Sequence, residues 1–242
     1  MRFCQIVICT LITAFCVGCV SVVGSGKPAS ERRELASFNE IDVSGSVKVL
    51  IGISEKISCE VKGDDNIVPI IKTEVRGNQL RIYGEKSYRP KIPVEILLTV
   101  PDIRAIDLSG SGKIVIHGIK RDDLNVEVSG SGNVILTGIE VNSLHSDLSG
   151  SGTITAQGVT SQLQTEISGS GSGDFVNLCA QEASAEISGS GTTSLVAMQT
   201  VDVKVSGSGS VHYAGTPSLS QSISGSGSVK PIATKTKCEK TE

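Results

Sequence analysis

Five acidic residues recur along the chain at nearly equal spacing and could act together. Their intervals are 20, 20, 19 and 20 residues, and the members are Asp107, Glu127, Asp147, Glu166 and Glu186. In a chain wound in coils of that length, the carboxylates would lie ~4.8 Å apart in one column. Such a column could bind a divalent cation or a basic partner. The simpler interpretation is a solvated acidic stripe that keeps the sheet surface soluble.

Other catalytic chemistry finds little support in the residue pattern. The three histidines, His117, His145 and His212, occupy different places in the repeat, so no serine has an activating base at a fixed offset. We therefore predict a protein that is not an enzyme and uses no cofactor. A carbohydrate-active β-helix enzyme stays open as an alternative, although an aromatic fraction of 3% offers few platforms for sugars.

A repeated tetrapeptide marks the elements that would position these carboxylates. Ser-Gly-Ser-Gly occurs seven times, at intervals of 20, 20, 19, 20, 18 and 18 residues, beginning at Ser109, Ser129, Ser149, Ser168, Ser188, Ser206 and Ser224. An aliphatic residue precedes each copy, and alternate apolar positions follow most copies, which is typical of strands with one buried face. The repeat predicts an all-β fold, a right-handed parallel β-helix or β-solenoid with coils of about 18–20 residues.

Two other interpretations of the repeat fit poorly. A flexible Ser-Gly linker would be polar between its glycines, whereas these spacers are β-branched and alternating. A calcium-binding nonapeptide roll needs a nine-residue period and a recurring Asp. Glycine suits the corners of a solenoid because it reaches positive φ without a Cβ penalty. Stacked serines at the corners would bond to turn backbone and to one another.

The sequence before the repeats predicts a less regular beginning of the same fold. Ser44-Gly45-Ser46, preceded by Val43, is a degenerate earlier copy of the tetrapeptide. Asp64-Asp65-Asn66 could cap a short helical turn over residues 67–71, and residues 75–80 fit a hairpin. We divide the chain into a tether (19–36), a solenoid (37–232, irregular over 37–105 and repetitive over 106–232) and a charged tail (233–242).

The first eighteen residues predict an export signal. Met1-Arg2 is followed by a mostly apolar run that is too short for a membrane span of ~20 residues. The run ends Cys16-Val17-Gly18-Cys19, which resembles a bacterial lipobox and predicts cleavage before Cys19 and acylation of its thiol. An ordinary secretory signal is the alternative. The expected location is the bacterial cell envelope, with a lipid anchor in the outer membrane.

Three cysteines remain beyond this segment: Cys59, Cys179 and Cys238. No CxxC pair occurs among them, which argues against a zinc site and predicts no bound metal of that kind. An odd number allows at most one disulfide, and free thiols are the favoured prediction. A net charge of −3 argues against nucleic acid as a partner.

Two stretches outside the repeats carry a family resemblance. FNEIDVSG (38–45) and DDNIVPIIKTEV (64–75), together with the DLSGSG-type repeats from Asp107, resemble the DUF2807 family, described as the putative auto-transporter adhesin, head GIN domain. The resemblance implies a β-helical domain of secreted or lipid-anchored envelope proteins and offers no catalytic residues. We therefore expect a non-enzymatic, envelope-anchored adhesin or scaffold. Expected partners are the membrane, envelope proteins or polysaccharide. A self-associating periplasmic module, paired through solenoid ends, is a further alternative.

Overall fold

The computed structural model describes residues 21–233 and Cys238, and these residues form strands, one 3-10 turn (Val68–Ile70) and no α-helix. The first nine strands are β1 (Val22–Val23), β2 (Pro28–Arg33), β3 (Glu40–Gly45), β4 (Lys48–Ile53), β5 (Ser58–Asp64), β6 (Ile71–Arg76), β7 (Gln79–Gly84), β8 (Tyr88–Arg89) and β9 (Glu95–Val100). The others are β10 (Ala105–Gly110), β11 (Lys113–His117), β12 (Lys120–Gly130), β13 (Asn133–Gly150), β14 (Thr153–Gly169), β15 (Ser172–Gly189), β16 (Thr192–Gly207), β17 (Ser210–Ala214), β18 (Ser218–Gly225) and β19 (Ser228–Pro231).

These strands stack as parallel coils, which confirms the predicted β-solenoid. The segments that end at each Ser-Gly-Ser-Gly corner form one ladder, here called the first face, in the order β7, β3, β10, β12, β13, β14, β15, β16 and β18. The segments that follow each corner form a second face, which includes β4, β11, β17 and β19. Nine strands at ~4.8 Å spacing give the first face a length of ~38 Å along the stacking axis.

The Ser-Gly-Ser-Gly corner stays in register from coil to coil because it has no room for side chains. Gly150 has φ +125°, and a Cβ on it would lie 2.4 Å from the carbonyl oxygen of Gly130 in the preceding coil. The amide of Ser151 donates to that same oxygen at 2.8 Å, so the backbone ladder continues around the corner. Ser44 and Gly45 align with Ser109 and Gly110, which confirms the degenerate earlier copy.

Changes in coil length are absorbed away from this corner. The register shifts between Leu136 and Ile139, and again between Phe175 and Cys179, where the coil falls from 20 to 18 residues. The core is made of aliphatic columns, and Phe175 is the largest fully buried side chain in it. The strict corner therefore fixes which residues become neighbours, while the opposite side of the coil tolerates insertions.

The predicted tether is wrong for much of its length, because its residues belong to the folded body. β1 pairs with β8, and β2 pairs with β5 in antiparallel register. The buried carboxylate of Asp64 fixes this segment: Oδ1 accepts from Gly26 N at 2.7 Å, and Oδ2 accepts from Lys91 N at 2.9 Å and Ile92 N at 3.0 Å. Burial would raise the pKa of Asp64, but these three N–H donors together bring it below its ordinary value.

The residues next to Asp64 complete this N-terminal clamp. Asn66 accepts from Ser25 N at 2.9 Å and donates to Val23 O at 2.8 Å, and Asp65 accepts from the Ser25 hydroxyl. The 3-10 turn that we expected these residues to cap is present, but its N-cap makes no side-chain hydrogen bond. The hairpin predicted at 75–80 is confirmed by β6 and β7.

The preference for free thiols is wrong for two of the three cysteines. Cys179 and Cys238 form a disulfide with a Cα–Cα distance of 5.5 Å, across a sequence separation of 59 residues. Cys179 lies where the coil shortens. Cys59 is free and buried, and burial, only partly opposed by the charge of Arg33, raises its pKa to about 11. The one bridge that an odd number of cysteines permits therefore links β15 to the C-terminal tail.

Candidate functional site on the first face

The five carboxylates predicted to form a column do so. Asp107 aligns with Glu127, Glu127 with Asp147, Asp147 with Glu166 and Glu166 with Glu186 on neighbouring strands. Each one alternates with buried residues in its strand and so points away from the core. The 3-residue shortfall of individual coils does not disturb this register because the shortening occurs elsewhere in the coil.

The column is longer than the sequence prediction. Asp42 in β3 aligns with Asp107, and we use the name acidic column for Asp42 with the five predicted carboxylates. A cation stands at each end: Arg81 Nε is 3.2 Å from Asp42 Oδ2, and Lys204 Nζ is 3.9 Å from Glu186 Oε2. Asp42 precedes Ser44 by two residues, as in every repeat, so a signal for it existed. Arg81 lies in a strand without the corner motif and gave no such signal.

The middle of the column is electrostatically uncompensated. Within the part of the chain that the structure describes, no basic side chain forms an ion pair with Asp107, Glu127 or Asp147. Partial burial, followed by the negative charges of Glu127, Asp42 and Glu40, raises the pKa of Asp107 to about 6. A positively charged partner laid along this column would relieve the repulsion.

We expect Asp107→Asn to remove part of the pH dependence of folding. A carboxyl whose pKa is higher in the folded state than its unfolded value of ~3.9 binds its proton more tightly when folded. Its stabilising contribution is therefore complete below pH ~4 and is lost as the pH rises through about 6. The variant should lose less stability than wild type between those pH values and should be the more stable of the two at pH 7. Urea unfolding at pH 4 to 8 measures this.

Asp202→Asn provides the matched control for that experiment. Asp202 is exposed on the neighbouring column of the same face, in register with Ser184 and Ser220. It should keep the wild-type dependence on pH. Equal pH slopes for Asp107→Asn and wild type would contradict the electrostatic description of the column.

The geometry favours an extended basic partner over a single bound cation. Among residues 21–233 and Cys238, no three His, Cys, Asp or Glu side chains are arranged to hold a metal ion. Carboxylates spread along a line offer one or two oxygens at any point, whereas calcium takes six to eight oxygen ligands around one centre. The structure thus brings the predicted residues together as a stripe and not as a cage.

The histidines and serines contribute no further site. His145 aligns with Asn125 and Gln164, so no histidine column forms there, and His117 Nδ1 lies 3.1 Å from Thr137 Oγ1. The corner serines were expected to hydrogen-bond through their hydroxyls. Within the described part of the chain, none of the hydroxyls in the seven tetrapeptides makes such a bond to protein, because the serine side chains at these corners point into solvent.

The predicted lipidation site, Cys19, lies outside the described residues, as does the signal peptide at 1–18. None of the described segments forms a helix with the length and apolar character needed to traverse a bilayer. The first described element is β1, which starts three residues after Cys19 in the sequence.

The fold and repeats define a family of all-β solenoids, and residues 37–217 match the family described as putative auto-transporter adhesin, head GIN domain (DUF2807). The match covers most of the chain, so this protein belongs to that family. Its adhesin-type description is consistent with an envelope or surface protein. A comparison with curated proteins finds no match.

Solved structures share the architecture over nearly the whole chain. A putative adhesin from Bacteroides fragilis is 27% identical, with a TM-score of 0.81, covering 88% of this chain and 100% of that one. A putative lipid binding protein from Parabacteroides distasonis is 26% identical, with a TM-score of 0.73 and the same coverage. A putative adhesin from Parabacteroides merdae, 19% identical with a TM-score of 0.71 and coverage of 88% and 99%, shares the fold.

Proposed function

We propose that this protein is a non-enzymatic adhesin or scaffold, held in the bacterial cell envelope by an acyl chain on Cys19. The observation that carries the proposal is the acidic column, a line of six carboxylates on one exposed face of a rigid coil stack. A flat, repetitive, singly charged face suits attachment to an extended surface. The adhesin description of the family supports the same function.

The N-terminal clamp bears on how such an anchor would hold the domain. Only Val20 and Ser21 separate Cys19 from β1, and β1 is bonded to β8 through Val22 N and Ser87 O at 2.8 Å. An acylated Cys19 would therefore hold the first coils against the membrane, without the flexible spacer expected from the sequence. The C-terminal coils would lie at the other end of a ~38 Å stack.

The partner that we propose for the acidic column is a basic surface in the envelope, on a protein or an amine-bearing polysaccharide. Uncompensated carboxylates at Asp107, Glu127 and Asp147 would gain favourable interactions with cationic groups spaced along a line. Exposed charges contribute more to the rate and selectivity of attachment than to its strength. Attachment should accordingly weaken as the salt concentration rises.

Cys19→Ala tests the anchor and the attachment together. Cells that produce the wild-type chain should incorporate labelled palmitate into it and keep it in the membrane fraction, whereas the variant should do neither. Cys59→Ala is the matched control and should be labelled like wild type. Loss of the chain from the membrane should also abolish any adhesion of these cells to cationic surfaces.

Two results would contradict this function. Equal labelling of wild type and Cys19→Ala would remove the anchor. Release of soluble sugars from a panel of envelope polysaccharides by the purified chain would favour the carbohydrate-active alternative over an adhesin.

A further inference from the structure

The two ends of the solenoid differ in how their outermost strands meet solvent. At the N-terminal end these strands are β2 and β6, and each carries several charged residues. β2 also begins with Pro28, and charges and proline on an edge strand discourage pairing with another chain. At the C-terminal end, β18 has no charged residue and all eight of its residues are exposed. The usual protection of an edge strand is thus missing at the C-terminal end only.

The inward positions of β18 continue the core but are open to solvent. Leu219 follows Val201 in register, and Ile223 follows Val205. Val201 and Val205 are 1% and 2% exposed, whereas Leu219 and Ile223 are 37% and 40% exposed. Among the described residues, no strand pairs with β18 on the side away from β16. The hydrophobic core therefore ends here without a cap.

The disulfide fixes one point of the C-terminal tail away from this end. Cys238 is bonded to Cys179 in β15, and β16 lies between β15 and β18 in the ladder. The tail is thereby fastened to the flank of the stack, on a coil that precedes the open end. A cap for β18 has to come from elsewhere.

The residues of β18 form a chemical palindrome. Residues 218–224 are Ser-Leu-Ser-Gln-Ser-Ile-Ser, symmetric about Gln221 except that Leu219 is matched by Ile223. In an antiparallel pair centred on Gln221, each Leu219 lies opposite Ile223 of a second copy, on the core side. The serines pair with one another on the solvent side. The two Gln221 amides meet at the twofold axis, where each can donate to and accept from the other.

We propose that two copies of this protein pair through antiparallel β18 strands to form a closed twofold dimer. Rotation about an axis normal to the first face leaves the inner side of β18 on the inside, so the two cores become continuous. The last coil, 215–232, has 18 residues, close to the roughly 20–30 that each partner contributes to a standard interface. The pair uses the same patch on both copies, and the N-terminal edges are charged, so assembly stops at two.

This pairing deepens the proposed adhesive function, on which only the following step depends. The N-terminal coils of the two copies would lie at opposite ends of a rod of ~76 Å, twice the single stack. Acyl chains at those two ends would sit in two facing membranes. A second copy on a neighbouring membrane is then a partner for adhesion.

Cysteine substitution tests the register of the pair. In the full chain carrying Gln221→Cys, opposing Cα atoms would lie ~4.5–5.5 Å apart at the axis, within reach of a disulfide. We expect an intermolecular bridge on mild oxidation, detected by non-reducing electrophoresis and mass spectrometry of the linked peptide. Ser218→Cys should not link to itself, since its own counterpart lies six residues away, ~20 Å along the strand. A mixture of Ser218→Cys and Ser224→Cys should link.

Charge substitution tests the equilibrium. Gln221→Lys puts two ammonium groups together at the axis and should weaken the dimer by about tenfold or more, measured by analytical ultracentrifugation of the full chain carrying Cys19→Ala. Ser184→Lys, an equally exposed position on β15 of the same face, should leave the dimer intact. A wild-type chain that stays monomeric, open-ended oligomers, or the absence of a Gln221→Cys bridge would each overturn the proposal. None of these results depends on acylation, so failure of the anchor is recognised separately.

Discussion

Gly150→Ala should destabilise the solenoid by about 4 kcal/mol, because it adds a side chain where two coils touch. The residue has φ +125°, a conformation that costs a non-glycine residue about 1–3 kcal/mol. The new Cβ would also approach the Gly130 carbonyl oxygen to 2.4 Å, and forcing apart a packed contact costs about 1–3 kcal/mol more. Urea unfolding followed by circular dichroism gives the loss directly.

Gly45→Ala separates the two causes. Gly45 occupies the same corner position in the degenerate first copy and has φ +99°, but an added Cβ there meets no atom within 4 Å. This variant should show the conformational cost alone, about 1–3 kcal/mol. Equal losses for the two variants would show that close stacking of the corners contributes nothing.

Removing the disulfide should cost nearly as much. A closed loop of 59 residues limits the freedom of the unfolded chain by about 4 kcal/mol in the chain-entropy description. The double variant Cys179→Ala/Cys238→Ala should therefore unfold at a clearly lower urea concentration than wild type. A reducing agent should lower the stability of wild type by a similar amount and leave the double variant unchanged.

Thiol counting provides the control for this prediction. Denatured, unreduced wild type should react with one equivalent of a thiol reagent, through Cys59 alone among the three cysteines after residue 58. Three equivalents from these positions, or a double variant as stable as wild type, would contradict the role of the bridge.

The sequence was sufficient to predict the acidic column because a single local rule sets it. A corner that admits only glycine keeps every coil in register, so residues two positions before Ser109 and Ser129 must become neighbours. The same rule predicted that Val43 to Gly45 belong to the stack. Where the motif recurs, position in the repeat is equivalent to position in space.

Contacts that join different parts of the chain without the motif could not be predicted in this way. Asp64 binds backbone groups of residues 26, 91 and 92, and nothing in its immediate sequence distinguishes it from an exposed turn residue. The pairing of Cys179 with Cys238 depends on where the tail returns along the flank, which no repeat specifies. The N-terminal segment reads as a linker because its glycine, serine and proline are also the residues that tight clamps require.

The bridge between β15 and the tail also determines how this rod would respond to tension. Coils stacked in parallel can peel away from an end one after another, and each would lengthen the chain as it came free. Between Cys179 and Cys238 this lengthening is blocked, and up to ~200 Å of extensible chain stays hidden while the bond is intact. A pulling force on the outermost coils would pass through a covalent clasp, so the end that carries β18 would keep its shape under load.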